Sequence, residues 1–294
     1  MTNPSPTMNR RDVIRALGAS AALAVAGLPA RAKAEPSKLK GRIKQCLTRG
    51  MFSKMPIDEF CKTIKEIGLL GVDLVKDPKD WAVIRDHGLI ATMVPGGGAI
   101  KKGINDKSLH PQFLQDFKNN IKAAAEFKWP NVIALAGDRE GISDAQSLDN
   151  CVEILKEASK IAEDAGVTIC MELLNSKVNH PGYVCDKTAW GVELCKRVNS
   201  PRCKLLYDIY HMQIMEGDII RTITDNIQYI AHFHTAGNPG RKDLDNEQEL
   251  NYPPIMQTIA KLTEEGKFSG YVAHEFSPKK GVESLKQAVL LCDV

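Results

Sequence analysis

Several signatures of other protein classes are missing from this 294-residue chain. No two of its eight cysteines have the Cys-x-x-Cys spacing of a metal-binding or redox motif. No Gly-x-Gly-x-x-Gly follows an early strand-like segment, which argues against an open dinucleotide-binding sheet. Aromatic residues make up only 6% of the chain, and no stripe of Lys and Arg with interleaved aromatics is present, so a nucleic-acid partner is not expected.

The first 34 residues have the pattern of an export signal. The pair Arg10-Arg11 precedes an uncharged stretch over residues 16–30, which is followed by Ala32-Lys33-Ala34. This pattern predicts a twin-arginine signal over residues 1–34 with an A-x-A cleavage site, and it predicts export to the periplasm. The uncharged stretch is too short to cross the roughly 30 Å hydrocarbon core of a bilayer, and retention as an uncleaved anchor is the alternative.

The charge balance of the remaining chain is not that of a basic protein. Removing residues 1–34, which hold five basic side chains and one acidic side chain, lowers the formal net charge from +3 to −1. A protein with a net charge of about −1 is not expected to bind a polyanion such as DNA through counterion release. Residues 35–294 are predicted to form one domain, because a single α/β barrel of about 250 residues accounts for that length. A homo-oligomer of this domain is compatible with the sequence.

Most of the cysteines are predicted to be buried and unpaired. Three lie in strand-like segments and four in helix-like segments, where a free cysteine behaves as a small hydrophobic residue. The twin-arginine route carries folded proteins, so this chain would fold in the cytoplasm before it meets an oxidising compartment.

Strand-like and helix-like segments alternate along the predicted domain at spacings of roughly 25 to 40 residues, as in repeated βα units. The helix-like segments carry apolar residues three and four positions apart, and one of them, residues 149–165, ends at Gly166. Eight such units predict a (β/α)8 TIM barrel, with Gly96-Gly97-Gly98 as a loop after the third strand. The predicted strands are Arg42–Leu47, Gly71–Val75, Leu89–Val94, Val132–Ala136, Val167–Leu173, Cys203–Tyr207, Ile230–His234 and Tyr271–Phe276.

Four acidic or imidazole side chains lie at the C-terminal ends of the last four predicted strands: Glu172, Asp208, His234 and Glu275. Barrel chemistry gathers at this end of the strands, so the four are predicted to meet at one mouth. A charge buried there needs a partner. Three carboxylates and one imidazole form an oxygen-rich donor set that suits Mn²⁺ or Mg²⁺, with Co²⁺ as a further candidate, and their spacing is not that of a zinc motif.

Three further side chains are predicted to contact a small-molecule substrate. His180 lies in the loop after the fifth strand, where functional residues are common. His211 follows the sixth strand closely enough to enter the same mouth and hydrogen-bond a hydroxyl group. Arg241 comes after the turn residues 237–240 and can grip a substrate carboxylate bidentately or hold a catalytic glutamate in place.

Two other histidines are predicted to lie outside the ligand set. The two-residue period of a strand puts His232 on the same face as His234 but deeper, as an interior group that orients a ligand. The same period points His274 away from Glu275, toward the helices.

The motifs around these residues resemble those of the hydroxypyruvate isomerase-like members of the xylose isomerase-like TIM barrel superfamily. The resemblance covers nearly all of residues 35–294 and is densest from Met171 to Pro278. It implies that Glu172 and Glu275 bind the metal and act as the acid/base pair, with Asp208 and His234 completing the ligand set. It is carried by Tyr207-Asp208-Ile209-Tyr210-His211-Met212-Gln213-Ile214-Met215-Glu216-Gly217, Gly237-Asn238-Pro239-Gly240-Arg241, Glu249-Leu250-Asn251-Tyr252 and His274-Glu275-Phe276.

The resemblance implies a metal-dependent isomerase that interconverts hydroxypyruvate and tartronate semialdehyde, or a related α-hydroxycarbonyl sugar or acid, through an enediolate. Hydroxypyruvate isomerases tend to have glutamine at the position of His234, whereas related ketose 3-epimerases have histidine. A ketose 3-epimerase, a 3-keto-glycoside lyase and a non-catalytic sugar-binding protein are therefore the alternatives on the same residues. A metal-dependent endonuclease would need more His and Asp ligands and a basic groove, which the charge balance disfavours.

Overall fold

Residues 38–294 are described by a computed structural model, and they contain nine strands and nine α-helices. The predicted signal, residues 1–34, lies outside the described residues. The strands are β1 (Gln45–Thr48), β2 (Gly71–Asp73), β3 (Ile90–Ala91), β4 (Val94–Gly97), β5 (Asn131–Ala134), β6 (Thr168–Glu172), β7 (Cys203–Asp208), β8 (Ile230–Thr235) and β9 (Tyr271–His274). The helices are α1 (Ile57–Ile67), α2 (Pro78–Asp86), α3 (His110–Phe127), α4 (Asp144–Ala165), α5 (Thr188–Val198), α6 (Ile209–Met215), α7 (Ile219–Asn226), α8 (Tyr252–Glu264) and α9 (Val282–Cys292).

The strands form one parallel sheet that closes into a barrel. Its order is β3-β2-β1-β9-β8-β7-β6-β5-β4, so β3 and β4 are the two ends of the order. These two strands are separated in the chain only by Thr92 and Met93, and together they make the third of eight barrel strands. The predicted (β/α)8 TIM barrel is thereby confirmed, and all eight predicted strands are present.

The glycine run after the third strand was predicted to be a loop, and this prediction is wrong for its first part. Gly96 and Gly97 belong to β4, which pairs with β5. A Cβ atom added to Gly97 would lie 2.6 Å from the Phe117 ring of α3. The missing side chains allow this helix to pack directly on the strand, a tertiary requirement that the local glycine pattern does not reveal.

The helices cover the barrel with one apolar face each. In α1, Phe60, Cys61 and Ile64 are buried, as the apolar spacing predicts. Helix α4 begins five residues before the predicted start at Asp149, because the Ser143 side chain accepts a hydrogen bond from the Gln146 backbone N–H and caps the first turn. Its C-terminal end is as predicted, with Gly166 in the left-handed region at φ 71°.

All eight cysteines are free and buried, which confirms the prediction of unpaired small hydrophobic side chains. The helices of residues 38–294 include none with both the length and the apolar character needed to cross a membrane.

Candidate active site

Four consecutive barrel strands bring the predicted metal-binding side chains to one place. Glu172 and Asp208 are the last residues of β6 and β7, His234 is the penultimate residue of β8, and Glu275 directly follows β9. One potential ligand atom from each of the four lies within 4.8 Å of the others. The parallel register sets Asp208 beside His234 and His234 beside Ala273, which places the four groups at similar heights along the barrel.

His234 lies at the centre of this group. Its Nδ1 atom is 2.8 Å from Glu275 Oε2, 3.5 Å from Glu172 Oε1 and 3.7 Å from Asp208 Oδ2. The same Nδ1 atom is buried and makes no hydrogen bond of acceptable geometry. A buried polar atom without a partner is costly, and the surrounding oxygens can share a cation with it. The donor set therefore fits a hard divalent cation.

Burial and neighbouring charges move the pKa values of the three carboxyl groups in different directions. Burial raises the pKa of Glu172, whose side chain is 8% exposed. Burial acts in the same sense on Glu275, but the charges of His234 and Arg241 outweigh it and lower the pKa of Glu275. At Asp208 burial again raises the pKa, but Arg241, His211 and His234 together outweigh it and lower the pKa to about 2. Negative charge is therefore concentrated on Asp208 and Glu275.

Arg241 reaches over the mouth toward these two carboxylates. Its Nη2 atom donates to Asp208 Oδ2 at 2.8 Å and to Glu275 Oε2 at 2.5 Å. Its Nη1 atom contacts His211 Nε2, and its guanidinium lies 5.2 Å from the centre of the Tyr210 ring. The Arg241 guanidinium thus lies between the acidic cluster and the opening of the mouth, where its side chain is 23% exposed.

His211 and His180 line the mouth next to Arg241. His211 lies in the first turn of α6, where its backbone N–H donates to Asp208 Oδ1 at 3.0 Å, so Asp208 also caps this helix. Burial lowers the pKa of His211 to about 3, which keeps the imidazole neutral. The half-buried His180 ring lies 5.4 Å from the His211 ring, measured between centroids. The three predicted substrate contacts are therefore neighbours.

Asp73 is a buried site residue that sequence analysis missed. It ends β2, is fully buried, and accepts a hydrogen bond from His234 Nε2 at 2.8 Å through Oδ2. Its Oδ1 atom lies 3.1 Å from His232 Nε2. The sequence pattern that could have identified Asp73 is a carboxylate at the end of an apolar strand, the same pattern that identified the other acids. The predicted strand continued to Val75, so Asp73 did not stand at its end.

The two histidines placed outside the ligand set lie where the strand period predicts. His232 is fully buried below His234, with 5.4 Å between the ring centroids. His274 points away from the mouth and contacts Thr235 Oγ1 at 2.8 Å and Gln45 Oε1 at 2.9 Å.

The fold and this acid-rich mouth define a (β/α)8 barrel with its candidate active site at the C-terminal ends of the strands. Residues 61–289 match the family described as "Xylose isomerase-like TIM barrel". The chain belongs to this family.

Several proteins similar to this chain are named isomerases. The chain is 29% identical to the 2-oxo-tetronate isomerase of Cupriavidus necator over an alignment of 212 residues. This alignment covers 70% of this chain and 72% of that protein. It is 30% identical to the hydroxypyruvate isomerase of Escherichia coli over 175 residues. This alignment covers 58% of this chain and 66% of that protein. A solved structure described as an AP endonuclease, family 2, from Brucella melitensis is similar with a TM-score of 0.72 and 27% identity, covering 83% of this chain and 95% of that chain. The isomerase relatives confirm the predicted enzyme class.

Proposed function

We propose that the protein is a metal-dependent isomerase that interconverts hydroxypyruvate and tartronate semialdehyde or a closely related α-hydroxycarbonyl compound. The observation that carries this proposal is the convergence of Glu172, Asp208, His234 and Glu275, whose ligand atoms lie within 4.8 Å of one another. These four residues would hold Mn²⁺ or Mg²⁺, because three carboxylates and one imidazole suit a hard cation. A divalent cation bound there supplies positive charge that stabilises the negative charge developing on the substrate oxygens.

Glu172 and Glu275 are the acid/base pair in this proposal. Isomerisation of hydroxypyruvate removes a proton from C3 and returns one to C2. The two glutamates come from strands on either side of β8, so one carboxylate can take the proton while the other delivers one. Positioned acid/base groups of this kind contribute about 10² to 10⁴-fold to a rate.

The substrate is held in this proposal by Arg241, His211 and His180. The Arg241 guanidinium can pair bidentately with the carboxylate of a keto acid. The neutral imidazole of His211 can hydrogen-bond a hydroxyl group, and the adjacent His180 closes the same side of the mouth. An anionic three- or four-carbon compound is therefore the substrate class that these residues favour.

A ketose 3-epimerase is the second candidate, and His234 is the residue that favours it. Related ketose 3-epimerases tend to have histidine at this position. In an epimerisation, the same two glutamates would act on opposite faces of a single carbon atom. The two reactions differ in the carbon atom that exchanges its proton, which makes them separable by labelling.

The test is solvent exchange in D₂O. Mn²⁺-loaded protein is incubated with hydroxypyruvate, a ketose and a 3-keto glycoside, and NMR locates the deuterium. We expect deuterium in the C3 position of hydroxypyruvate, and we expect Glu172→Gln and Glu275→Gln each to reduce exchange at least about 10²-fold. The metal content of each variant is measured so that exchange is compared at equal loading.

Glu264→Gln is the matched control, because Glu264 is 54% exposed on α8 and pairs with Arg42 at 2.7 Å, away from the candidate active site. Its exchange rate should equal that of the unmodified protein. Full turnover in both active-site variants would remove the acid/base roles. Exchange of the ketose at C3 with hydroxypyruvate unlabelled would assign the protein to the epimerases.

We also propose that residues 1–34 direct the folded enzyme to the periplasm. The proposal rests on the Arg10-Arg11 pair, the uncharged stretch and the A-x-A site. Fractionation of cells that express the full chain, beside an Arg10→Lys/Arg11→Lys variant, tests it. Equal periplasmic amounts of both proteins would contradict it.

A further inference from the structure

We propose that Asp73 is a positioning residue that holds the His234 ring with its Nδ1 atom toward the three carboxylates and thereby sets the metal affinity of the site. The inference rests on the proposed metal-dependent function, and it assigns a role to a residue that lies on the opposite side of the barrel interior. Asp73 ends β2, whereas the four candidate ligands belong to β6, β7, β8 and the residue after β9.

Both nitrogen atoms of the His234 ring face carboxylates. Nε2 lies 2.8 Å from Asp73 Oδ2, and Nδ1 lies 2.8 Å from Glu275 Oε2. A neutral imidazole carries one N–H and one lone pair. Binding of a cation requires the neutral ring, and when Nε2–H of that ring donates to Asp73, the lone pair is on Nδ1, which faces Glu172, Asp208 and Glu275. The carboxylate of Asp73 therefore selects the tautomer that can bind a cation.

Asp73 is itself held in one orientation. The Thr92 hydroxyl donates to Asp73 Oδ1 at 2.7 Å, and Thr92 lies at the break between β3 and β4. His232 Nε2 approaches the same oxygen at 3.1 Å. Asp73, His232 and His234 are all fully buried, so no solvent competes for these contacts. A carboxylate that is hydrogen-bonded to both the Thr92 hydroxyl and His234 Nε2 leaves the His234 ring little rotational freedom.

The same geometry offers an alternative role for Asp73, as a metal ligand. Cys46, Asp73 and His232 also offer ligand atoms within 4.8 Å of one another, and all three side chains are buried. If these residues bound a second ion, Asp73 would be a ligand rather than a positioning residue. The number of ions bound per chain distinguishes the two roles.

The test measures Mn²⁺ binding by electron paramagnetic resonance of the free ion, with Asp73→Asn as the main variant. We expect one ion per chain and an affinity about 10- to 100-fold weaker in Asp73→Asn. Thr92→Val keeps the side-chain shape and removes only the hydroxyl that orients Asp73, and we expect its affinity to be about 3- to 10-fold weaker.

Asp186→Asn is the matched control. Asp186 is a buried acid, 5% exposed, that accepts from the Ser176 hydroxyl at 2.5 Å and pairs with Arg139 at 3.4 Å. Its substitution removes a buried charge elsewhere and should leave the Mn²⁺ affinity unchanged.

A spectroscopic readout separates positioning from mere stabilisation. In Mg²⁺-loaded protein labelled with ¹⁵N-histidine, His234 should give an exchange-protected Nε2–H resonance, assigned through its loss in His234→Gln. We expect this resonance to shift upfield and lose protection in Asp73→Asn. A purely structural carboxylate would lower the unfolding temperature without changing the resonance or the affinity.

The outcomes are distinct. An unchanged affinity in Asp73→Asn, or in Thr92→Val if Asp73→Asn does not fold, overturns the inference while the proposed function stands. Two ions per chain with one lost in Asp73→Asn also overturns it, in favour of a second site. A protein that binds no divalent ion overturns the proposed function, and the inference falls with it.

Discussion

Arg241 occupies the point at the barrel mouth where Asp208 and Glu275 would otherwise repel each other. Its guanidinium donates to both carboxylates, and its side chain is still 23% exposed. Its backbone has φ 53°, in the left-handed region that only glycine adopts without strain. A side chain held in this way can pair with acids inside the mouth and with an anion arriving from solvent. This position is the reason that the proposed function assigns Arg241 to the substrate carboxylate.

For the single substitution Arg241→Lys we predict weaker binding of a keto acid. Lysine keeps the charge but loses the planar pair of donors, so KM for a keto acid should rise about 10- to 100-fold, with a smaller change in kcat. Steady-state kinetics on the substrate identified by exchange measures it. Arg202→Lys, at the start of β7 and the opposite end of the barrel, should leave KM unchanged. A fall in kcat with KM unaltered would mean that Arg241 serves the glutamates and not the substrate.

The third barrel strand is the least regular element of the fold, and its irregularity supports the site. It divides at Thr92 and Met93 into β3 and β4. The Thr92 backbone stays paired across the break, because its N–H donates to Val72 O at 2.8 Å and its carbonyl accepts from the Asn131 side chain at 2.8 Å. The break leaves the Thr92 hydroxyl pointing at Asp73. Beyond it, glycines let β4 lie close to β5 and α3.

This close packing predicts a stability effect for Gly96→Ala. A Cβ atom at Gly96 would lie 2.2 Å from the Ile133 carbonyl oxygen of β5, which cannot move without disturbing the sheet. We expect the free energy of unfolding to fall by about 1–3 kcal/mol, as measured by urea denaturation. Gly50→Ala is the control, because no atom of residues 38–294, its own helical turn aside, lies within 4 Å of its added Cβ. Equal stabilities for the two variants would contradict the packing argument.

In the whole barrel, the candidate site joins residues from strands on opposite sides of the interior. The four candidate metal ligands come from β6, β7, β8 and the residue after β9, while Asp73 comes from β2 across the interior. The acids repel one another when no cation lies between them. A bound ion should therefore stabilise the folded barrel as a unit.

We accordingly predict that Mn²⁺ raises the stability of the whole protein. At a free Mn²⁺ concentration 100 times Kd, the free energy of unfolding should rise by about 2.7 kcal/mol, and a chelator should reverse the increase. Thermal or urea denaturation with and without Mn²⁺ measures it. Asp208→Asn should show little of this increase. An equal increase in that variant would place the ion elsewhere in the molecule.

The sequence by itself determined the barrel and the main acidic cluster, because both depend on local patterns. Apolar segments of strand length alternate with segments of helical spacing over the whole domain. Few folds, the α/β barrel among them, accommodate such a repeat. Glu172, Asp208, His234 and Glu275 each follow an apolar strand, and parallel strands carry their ends to a common rim. Local order was enough to predict that these side chains meet.

Only the tertiary structure decided which residues support that cluster. Asp73 and His234 are 161 positions apart, and closure of the barrel brings them to hydrogen-bonding distance. Gly96 and Gly97 form a strand because a neighbouring strand and helix lie too close for any side chain. Arg241 lies against Asp208 and Glu275 because its loop folds back over the mouth. Such contacts depend on distances across the closed barrel, which no local pattern of residues encodes.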